Sequence, residues 1–208
     1  MTRVAMPAGW LAMALMFLSN NMLGEKERKF LLKISRRAID YFLKKQDFLT
    51  LNEKDLPSPL LKEKMATFVT LKINDSLRGC IGRLAAAKPL YQDVLENAIN
   101  SAFFDRRFKP LTIEEFPQIK LEISVLGPAR TLWYRNSEEL FQQIEPFRHG
   151  IIIEKEFHLA TYLPQVWEEL PSKEQFLSSL CLKAGLPSDE WKNNTLKIKI
   201  YEVEHFQE

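Results

Sequence analysis

The sequence predicts an α+β protein with two unequal lobes, each a largely antiparallel sheet with packed helices. The order strand–strand–helix–strand occurs twice, near residues 66–126 and near residues 150–203. The paired strands follow each other across short turns, which is typical of hairpins rather than of the long crossovers that parallel strands need. With 208 residues, the chain is long enough to bury a substantial core.

The first lobe opens with a predicted helix over residues 25–45, where apolar residues recur at helical spacing. A connector follows, in which Pro57-Ser58-Pro59 excludes regular structure. Residues 67–73 are rich in β-branched and aromatic side chains and predict a strand. Because Asn and Asp tolerate tight-turn conformations, Asn74-Asp75-Ser76 predicts a turn into a return strand over residues 78–84.

A second helix is predicted after Pro89, with its buried stripe over residues 90–102. Thr112 and Glu115 have the spacing of a capping box and predict a short helical turn. Apolar and polar residues then alternate over residues 121–125, which predicts a half-buried strand.

The second lobe repeats this order of elements. We expect a short helix, a hairpin, a helix closed by Gly185 and a final strand, at residues 137–144, 150–162, 172–185 and 196–200. The lobes are expected to span roughly residues 22–135 and 136–208.

Composition and charge are those of an ordinary soluble globular protein, with 46% hydrophobic and 27% charged residues. The formal net charge of +2 is nearly neutral for this length and favours neither nucleic acid nor a membrane surface as a partner. Cys80 and Cys181 lie far apart in the sequence and lack metal-type spacing, which favours two free thiols in a reduced, cytoplasmic protein. The histidines, at 149, 158 and 205, contain no i,i+4 pair. We therefore predict no metal site and no cofactor.

The first 21 residues are interpreted separately, as an extension outside the domain. Arg3 and the apolar run over residues 4–18 have the outline of a signal peptide, although a small-x-small cleavage site is missing. An export signal, a short hydrophobic anchor, and residues upstream of a true start at Met22 are the three interpretations. We favour the last, and expect the folded domain, residues 22–208, to lie outside the membrane.

One stretch, Leu77-Arg78-Gly79-Cys80-Ile81-Gly82, has the residues from which a site could be built. In an extended chain Arg78 and Cys80 share a face, and a nearby cation favours the thiolate over the thiol. Gly79 and Gly82 leave backbone N–H groups bare, so that a ligand can come close. The structural alternative is that Cys80 packs as a small hydrophobe and that the glycines mark tight packing.

A second cluster of charges, Asp105-Arg106-Arg107, follows the second predicted helix. Two arginines beside an acid could bind an anionic ligand. The alternative that we favour is that Asp105 ties down the end of the helix.

These motifs resemble the signature of the AMMECR-type domain family, whose bacterial and archaeal members are often called AmmeMemoRadiSam system protein A. The resemblance covers about residues 22–208. It rests on the stretch around Cys80 and on further motifs: Thr67-Phe68-Val69-Thr70-Leu71, Pro89-Leu90, Asn97-Ala98, Asp105 to Leu111, Glu122 to Leu126, Leu163 to Trp167, Phe176-Leu177, Lys183 to Leu186, and Trp191.

The resemblance implies an α+β fold in two unequal lobes, with the Cys80 motif near a cleft. It also implies a genetic partnership with a Memo-type protein and a radical S-adenosylmethionine enzyme, but no settled biochemical activity. On the matching motifs, the candidate ligand-binding residues are Gly79, Gly82, Asp105, Arg107 and Gln165. Oligomeric state is left open.

Three functions compete. The first is an enzyme in which Cys80 is the nucleophile, Arg78 supplies cationic help, and His149 is the base. The second is a non-catalytic partner or scaffold subunit with an interface around the motif or around the aromatic residues at 103, 104 and 108. The third and least favoured is a nucleic-acid-binding protein that uses the basic helix with Arg106, Arg107 and Lys109.

Overall fold

A computed structural model of the chain describes residues 23–193 and 195–208, so the extension predicted over residues 1–21 lies outside the described residues. The chain divides into two compact units. One runs to Leu126 and includes Glu204–Glu208, and the other is Gly127–Val203. The strand–strand–helix–strand order occurs in both units, and the strand pairs described are antiparallel, which confirms the α+β class. In the described part of the chain, we find no helix long and apolar enough to span a bilayer.

The first unit contains two helices and three paired strands, close to the predicted positions. They are α1 (Glu25–Lys45), β1 (Ala66–Ile73), β2 (Ser76–Gly82), α2 (Leu90–Phe103) and β3 (Lys120–Leu126). The strand order is β2-β1-β3. Strand β2, which holds the signature stretch, is therefore an edge strand.

The β1–β2 hairpin has the predicted turn. Asn74 and Asp75 adopt positive φ angles of 51° and 61°, a conformation that these two residue types tolerate best after glycine. Beyond the turn, Thr70 pairs with Cys80 on one side and with Glu122 on the other. Because directly paired residues share a face of a sheet, these three side chains lie in one row across β2, β1 and β3.

The core of the first unit forms where the two helices cover the sheet. Val69 and Leu71 of β1 and Ile123 of β3 are fully buried there. Helix α1 contributes Leu31, Ile34 and further apolar residues at helical spacing, as predicted from the sequence. Helix α2 packs on both β1 and β2, and its buried face also contains polar residues, which are described below.

The second unit is a four-strand antiparallel arrangement with two helices. Its elements are β4 (Arg130–Thr131), α3 (Ser137–Gln143), β5 (His149–Lys155), β6 (His158–Tyr162), α4 (Lys173–Lys183) and β7 (Lys197–Gln207). The strand order is β4-β7-β5-β6. Strand β7 is longer than the predicted closing strand, and its residues from Glu204 onward belong to the first unit.

The core of the second unit centres on Trp167 and Phe176, whose rings stack with centroids 3.7 Å apart. Cys181 is fully buried in the same core. Gly185 follows α4 with a φ of +76°, the left-handed conformation expected of a glycine that ends a helix.

Candidate functional site

The backbone of Cys80 is held by two side chains from the loop after α2. The Asp105 carboxylate accepts the Cys80 N–H at 2.9 Å, and Arg107 Nη2 donates to the Cys80 carbonyl at 3.1 Å. We call this pair of contacts the backbone clamp. A neighbouring strand would offer the same acceptor and donor to β2, so the clamp covers the edge of the sheet at Cys80.

The clamp is stabilised by contacts between its own two residues. Asp105 is only 5% exposed, and it accepts hydrogen bonds from the Arg107 backbone N–H at 3.1 Å, from Nε at 3.0 Å and from Nη2 at 2.7 Å. The hydrogen bonds from the Arg107 side chain, together with the Cys80 N–H, hold the pKa of Asp105 well below its usual range. The carboxylate is therefore ionised at neutral pH.

The sulfur of Cys80 is half-buried and lies beside a hydroxyl group. Thr70 Oγ1 donates a hydrogen bond to Sγ at 3.1 Å. Burial raises the pKa of the Cys80 thiol, although the Thr70 hydrogen bond and the Arg107 charge act in the opposite direction. Because a free thiol already titrates near about pH 8.5, Cys80 is in the thiol form at neutral pH.

The expectation that Arg78 lies beside the sulfur is wrong. Arg78 instead donates to the Glu115 carboxylate, from Nε at 2.9 Å and from Nη2 at 2.8 Å, and its guanidinium lies 5.9 Å from the centroid of the Phe108 ring. A two-point pair with a carboxylate is a strong, directional contact, and it fixes the guanidinium there. The cation whose charge opposes the rise in the pKa of Cys80 is Arg107.

The carboxylate that holds Arg78 is part of the predicted capping box. Glu115 accepts the Thr112 N–H at 3.0 Å, and Thr112 Oγ1 accepts the Glu115 N–H at 3.4 Å. The capping box is thus confirmed, and it connects the segment after the clamp to the edge strand through Arg78.

The two glycines of the signature are required by packing within the protein. A Cβ atom at Gly79 would lie 2.1 Å from the Ser101 carbonyl oxygen on α2. At Gly82 it would lie 2.3 Å from both the Phe68 ring and the Thr67 carbonyl oxygen. Protein atoms occupy the space beside these two glycines in which a ligand was expected, and the role of the glycines in ligand binding stays a prediction.

His149 begins β5 in the second unit, whereas Cys80 belongs to the first. The His149 side chain is buried, and its Nδ1 accepts the Glu145 backbone N–H at 3.0 Å. Burial lowers the pKa of His149, so the ring is neutral with its proton on Nε2. Its proposed role as a base for Cys80 stays a prediction. Gln165 is exposed in the short helical segment Pro164–Glu168.

A polar row on the buried face of α2 was not predicted from the sequence. Asp93, Asn97 and Ser101 are spaced four residues apart and are almost fully buried. Asp93 Oδ2 accepts the Thr67 N–H at 3.0 Å and the Thr67 hydroxyl at 2.6 Å. Ser101 Oγ donates to the Val69 carbonyl at 2.6 Å and accepts the Ile81 N–H at 3.0 Å. The row therefore attaches α2 to the backbones of β1 and β2.

Arg83 connects this row to the surface. Its Nε lies 2.8 Å from Asp93 Oδ1, and its Nη2 donates to Glu96 at 2.7 Å. Burial raises the pKa of Asp93, opposed by the Thr67 hydrogen bond and by the charge of Arg83. The sequence contains a signal for this network. Asp93, Asn97 and Ser101 are polar residues spaced four apart, and they interrupt the otherwise apolar stripe of α2.

The chemical capacity of the site follows from these contacts. The Cys80 backbone bonds to Asp105 and Arg107, the Arg78 guanidinium bonds to Glu115, and the thiol is protonated. Within residues 23–193 and 195–208, no three His, Cys, Asp or Glu side chains converge as metal ligands would.

Comparison with known proteins identifies the family of this chain. The AMMECR1 family profile matches residues 32–206. The chain belongs to the AMMECR1 family. The resemblance read from the sequence is thereby confirmed.

AMMECR1 relatives of similar length occur in archaea and bacteria. Protein MK0488 of Methanopyrus kandleri is 39% identical over 198 residues, which cover 89% of this chain and 92% of that protein. A protein of Aquifex aeolicus is 43% identical over 155 residues, covering 71% of this chain and 79% of that protein. The crystal structure of the uncharacterized protein PH0010 from Pyrococcus horikoshii matches with a TM-score of 0.81 at 36% identity, covering 89% of this chain and 93% of that one.

Proposed function

We propose that this protein is a non-catalytic binding subunit of a modification pathway, in which it works with a Memo-type protein and a radical S-adenosylmethionine enzyme. These partners are the ones that the family resemblance implies. The observation that carries the proposal is the backbone clamp, in which Asp105 and Arg107 bind the N–H and the carbonyl of Cys80. In this proposal the signature contributes its backbone to the clamp, and Cys80 does not act as a nucleophile.

The surroundings of Cys80 give a nucleophilic role less support than a structural one. The reactive species is the thiolate, and burial raises the pKa of this thiol. Arg78, the residue that the sequence placed in a helping role, is bound to Glu115. The cysteine-dependent alternative is thus less well supported than the scaffold.

The nucleic-acid alternative loses support from the ion pairs of α1. Lys29 pairs with Glu25, Arg36 with Glu208, and Lys44 with Asp40. Each pair reduces the positive charge that the helix offers to phosphate groups, on which non-specific nucleic-acid binding depends.

The clamp presents a defined surface to partners. The loop over residues 104–109 is held to β2 through Asp105, while Phe104, Arg106 and Lys109 are exposed. An aromatic anchor and two cations on a loop of fixed geometry favour protein recognition, since less conformational entropy is lost on binding.

Co-purification tests the proposal. The full chain would be tagged and co-expressed with the Memo-type and radical S-adenosylmethionine proteins of the same genome, with and without S-adenosylmethionine. Cys80→Ala should retain the partners at the wild-type level, whereas Asp105→Asn, checked for native circular dichroism, should lose them.

Two results would contradict this function. Absence of a complex with the wild-type chain under both conditions removes the binding-subunit role. Loss of the partners in a folded Cys80→Ala variant, with retention in Asp105→Asn, would instead favour the cysteine-dependent alternative.

A further inference from the structure

A surface groove lies between the connector after α1 and helix α2. Phe48, Leu49 and Leu51 form one wall, and Tyr91, Leu95 and Ile99 form much of the other. Its volume is about 510 Å³. Every lining residue belongs to the first unit. We call this surface, together with Phe104, the phenylalanine groove.

Three rings connect the groove to the clamp loop. Phe42 of α1 makes an edge-on contact with Phe48, at a centroid distance of 5.6 Å, and another with Phe104, at 5.9 Å. Phe42 is buried, whereas Phe48 is 50% exposed and Phe104 is 54% exposed. The apolar surface therefore continues from the groove to the residue that immediately precedes Asp105.

The rings of Phe48 and Phe104 expose apolar surface to water, which is unfavourable. A partner that covers both rings would remove this surface from water. Burying apolar surface contributes about 25 cal/mol per Å², and aromatic rings are the commonest centres of protein interfaces. Both rings are also held in place by Phe42, so little side-chain freedom is lost when they are covered.

The charges beside these rings are mainly positive. Lys45 lies three residues from both Phe42 and Phe48, and Arg106 follows Phe104 by two residues. Both cations are exposed, and neither makes an ion pair among the contacts of the described residues. Lys88 and Glu96 both line the groove and pair with each other at 2.6 Å, and Asp47 is the acid next to Phe48 in the sequence.

We infer that the phenylalanine groove docks an acidic amphipathic segment of a partner protein, with apolar side chains in the groove and carboxylates facing Lys45 and Arg106. This inference rests on the proposed function and names the chemistry of the partner. The apolar side chains of the segment fill the groove, and the two exposed cations select acidic flanking residues over basic ones.

An unbiased selection tests which chemistry the groove accepts. A display library of random 16-residue peptides would be selected on the immobilised full chain. The Phe48→Asp, Phe104→Asp double variant serves for counter-selection. The enriched peptides should combine at least two large apolar residues with flanking Asp or Glu. Failure to enrich any peptide, enrichment of basic peptides, or enrichment of peptides that the double variant binds equally well overturns the inference.

Titration of the leading labelled peptide then locates its site on the protein. Phe48→Asp and Phe104→Asp should each weaken binding by about tenfold or more, as expected when a buried aromatic anchor is lost. Arg106→Glu should weaken it by about threefold or more, and the effect should shrink as salt rises. Phe157→Asp is the matched control, because Phe157 is a fully exposed phenylalanine of the second unit. If Phe157→Asp weakens peptide binding as much as the Phe48 and Phe104 variants do, the peptide does not bind in the groove.

Other occupants give distinct results. If a second copy of the chain fills the groove, sedimentation equilibrium will show a dimer that Phe104→Asp dissociates. If the chain's own first 21 residues fill it, a chain that begins at Met22 will bind the peptide more tightly than the full chain. Either result contradicts docking of a partner segment.

The co-purification experiment separates this inference from the function on which it rests. Should the Phe48→Asp, Phe104→Asp variant keep its partners, the binding-subunit role stands and the groove is not its docking site. Should the wild-type chain have no partners, the function fails independently of what the peptide titration shows.

Discussion

The Asp105 carboxylate accepts the backbone N–H of Cys80 at 2.9 Å. This single contact joins the loop after α2 to the edge strand that holds the family signature. Asp105 is itself held by the backbone and side chain of Arg107, whose guanidinium also reaches the Cys80 carbonyl. An exposed strand edge can pair with other chains, and the clamp prevents such pairing at Cys80.

Asp105→Asn should lower the free energy of unfolding by about 1–3 kcal/mol, because the charged hydrogen bonds to Cys80 and Arg107 are lost or weakened. The lower part of that range is expected, since solvent reaches the Arg107 side chain, which is 57% exposed. Urea unfolding measures the change. Arg106→Ala, at the neighbouring exposed position, is the control and should change stability by less than about 0.5 kcal/mol.

The stability contributed by Asp105 should depend on pH in a defined direction. Its pKa in the folded protein lies below the unfolded value of about 3.9, because Arg107 and the Cys80 N–H stabilise the carboxylate. The contribution is complete above that pH and is lost as pH falls towards the folded pKa. The stability gap between the wild type and Asp105→Asn should therefore be constant from about pH 7 to pH 5 and narrow below about pH 4. A gap that widens on acidification contradicts the assignment.

Gly79→Ala should destabilise the protein by about 1–3 kcal/mol or more, because the new methyl group would overlap the Ser101 carbonyl oxygen, a backbone atom that cannot move alone. Gly24→Ala is the matched control. The added atom there meets only the flexible end of the Glu27 side chain. Thermal unfolding of both variants checks the difference, and equal melting temperatures would show that α2 does not restrict this position.

Asn97→Ala should cost about 2–3 kcal/mol, because it removes donors to buried acceptors on Thr67 and Asp93. Asn100→Ala, on the same helix, has no side-chain hydrogen bond among the described contacts and is the control. Denaturant unfolding compares the two variants. A cost for Asn97→Ala no larger than that for Asn100→Ala would mean that the polar row does not hold α2 to the sheet.

The elements of the fold could be predicted because their signals are local. Helical spacing located α1, turn residues at 74 and 75 located the first hairpin, and Gly185 marked the end of α4. These patterns depend on residues within a few positions of one another, and the same is true of the capping box at Thr112 and Glu115.

The contacts of the candidate site depend on residues that lie far apart in the chain. Arg78 was expected beside Cys80 from strand alternation, but a bulge in the β1–β2 pairing and a carboxylate 37 residues away direct it elsewhere. The clamp on Cys80 spans 25 residues, and the atom that excludes a side chain at Gly79 belongs to Ser101. Contacts between residues this far apart leave no local pattern in the sequence. The signature stretch was therefore located correctly, whereas the contacts of its residues were not predicted.

The pH dependence of Cys80 alkylation tests the central claim most directly, namely that the backbone of Cys80 and not its thiolate is what the signature provides. Native protein would be treated with iodoacetamide, and peptide mapping would separate Cys80 from the fully buried Cys181. Because burial raises the pKa of Cys80, the rate should reach its midpoint above the free-thiol value of about 8.5. Arg107→Met should raise that midpoint further, whereas Arg78→Met should leave it unchanged. A midpoint below about 7.5, or one that depends on Arg78, would contradict the account and restore Cys80 as a nucleophile.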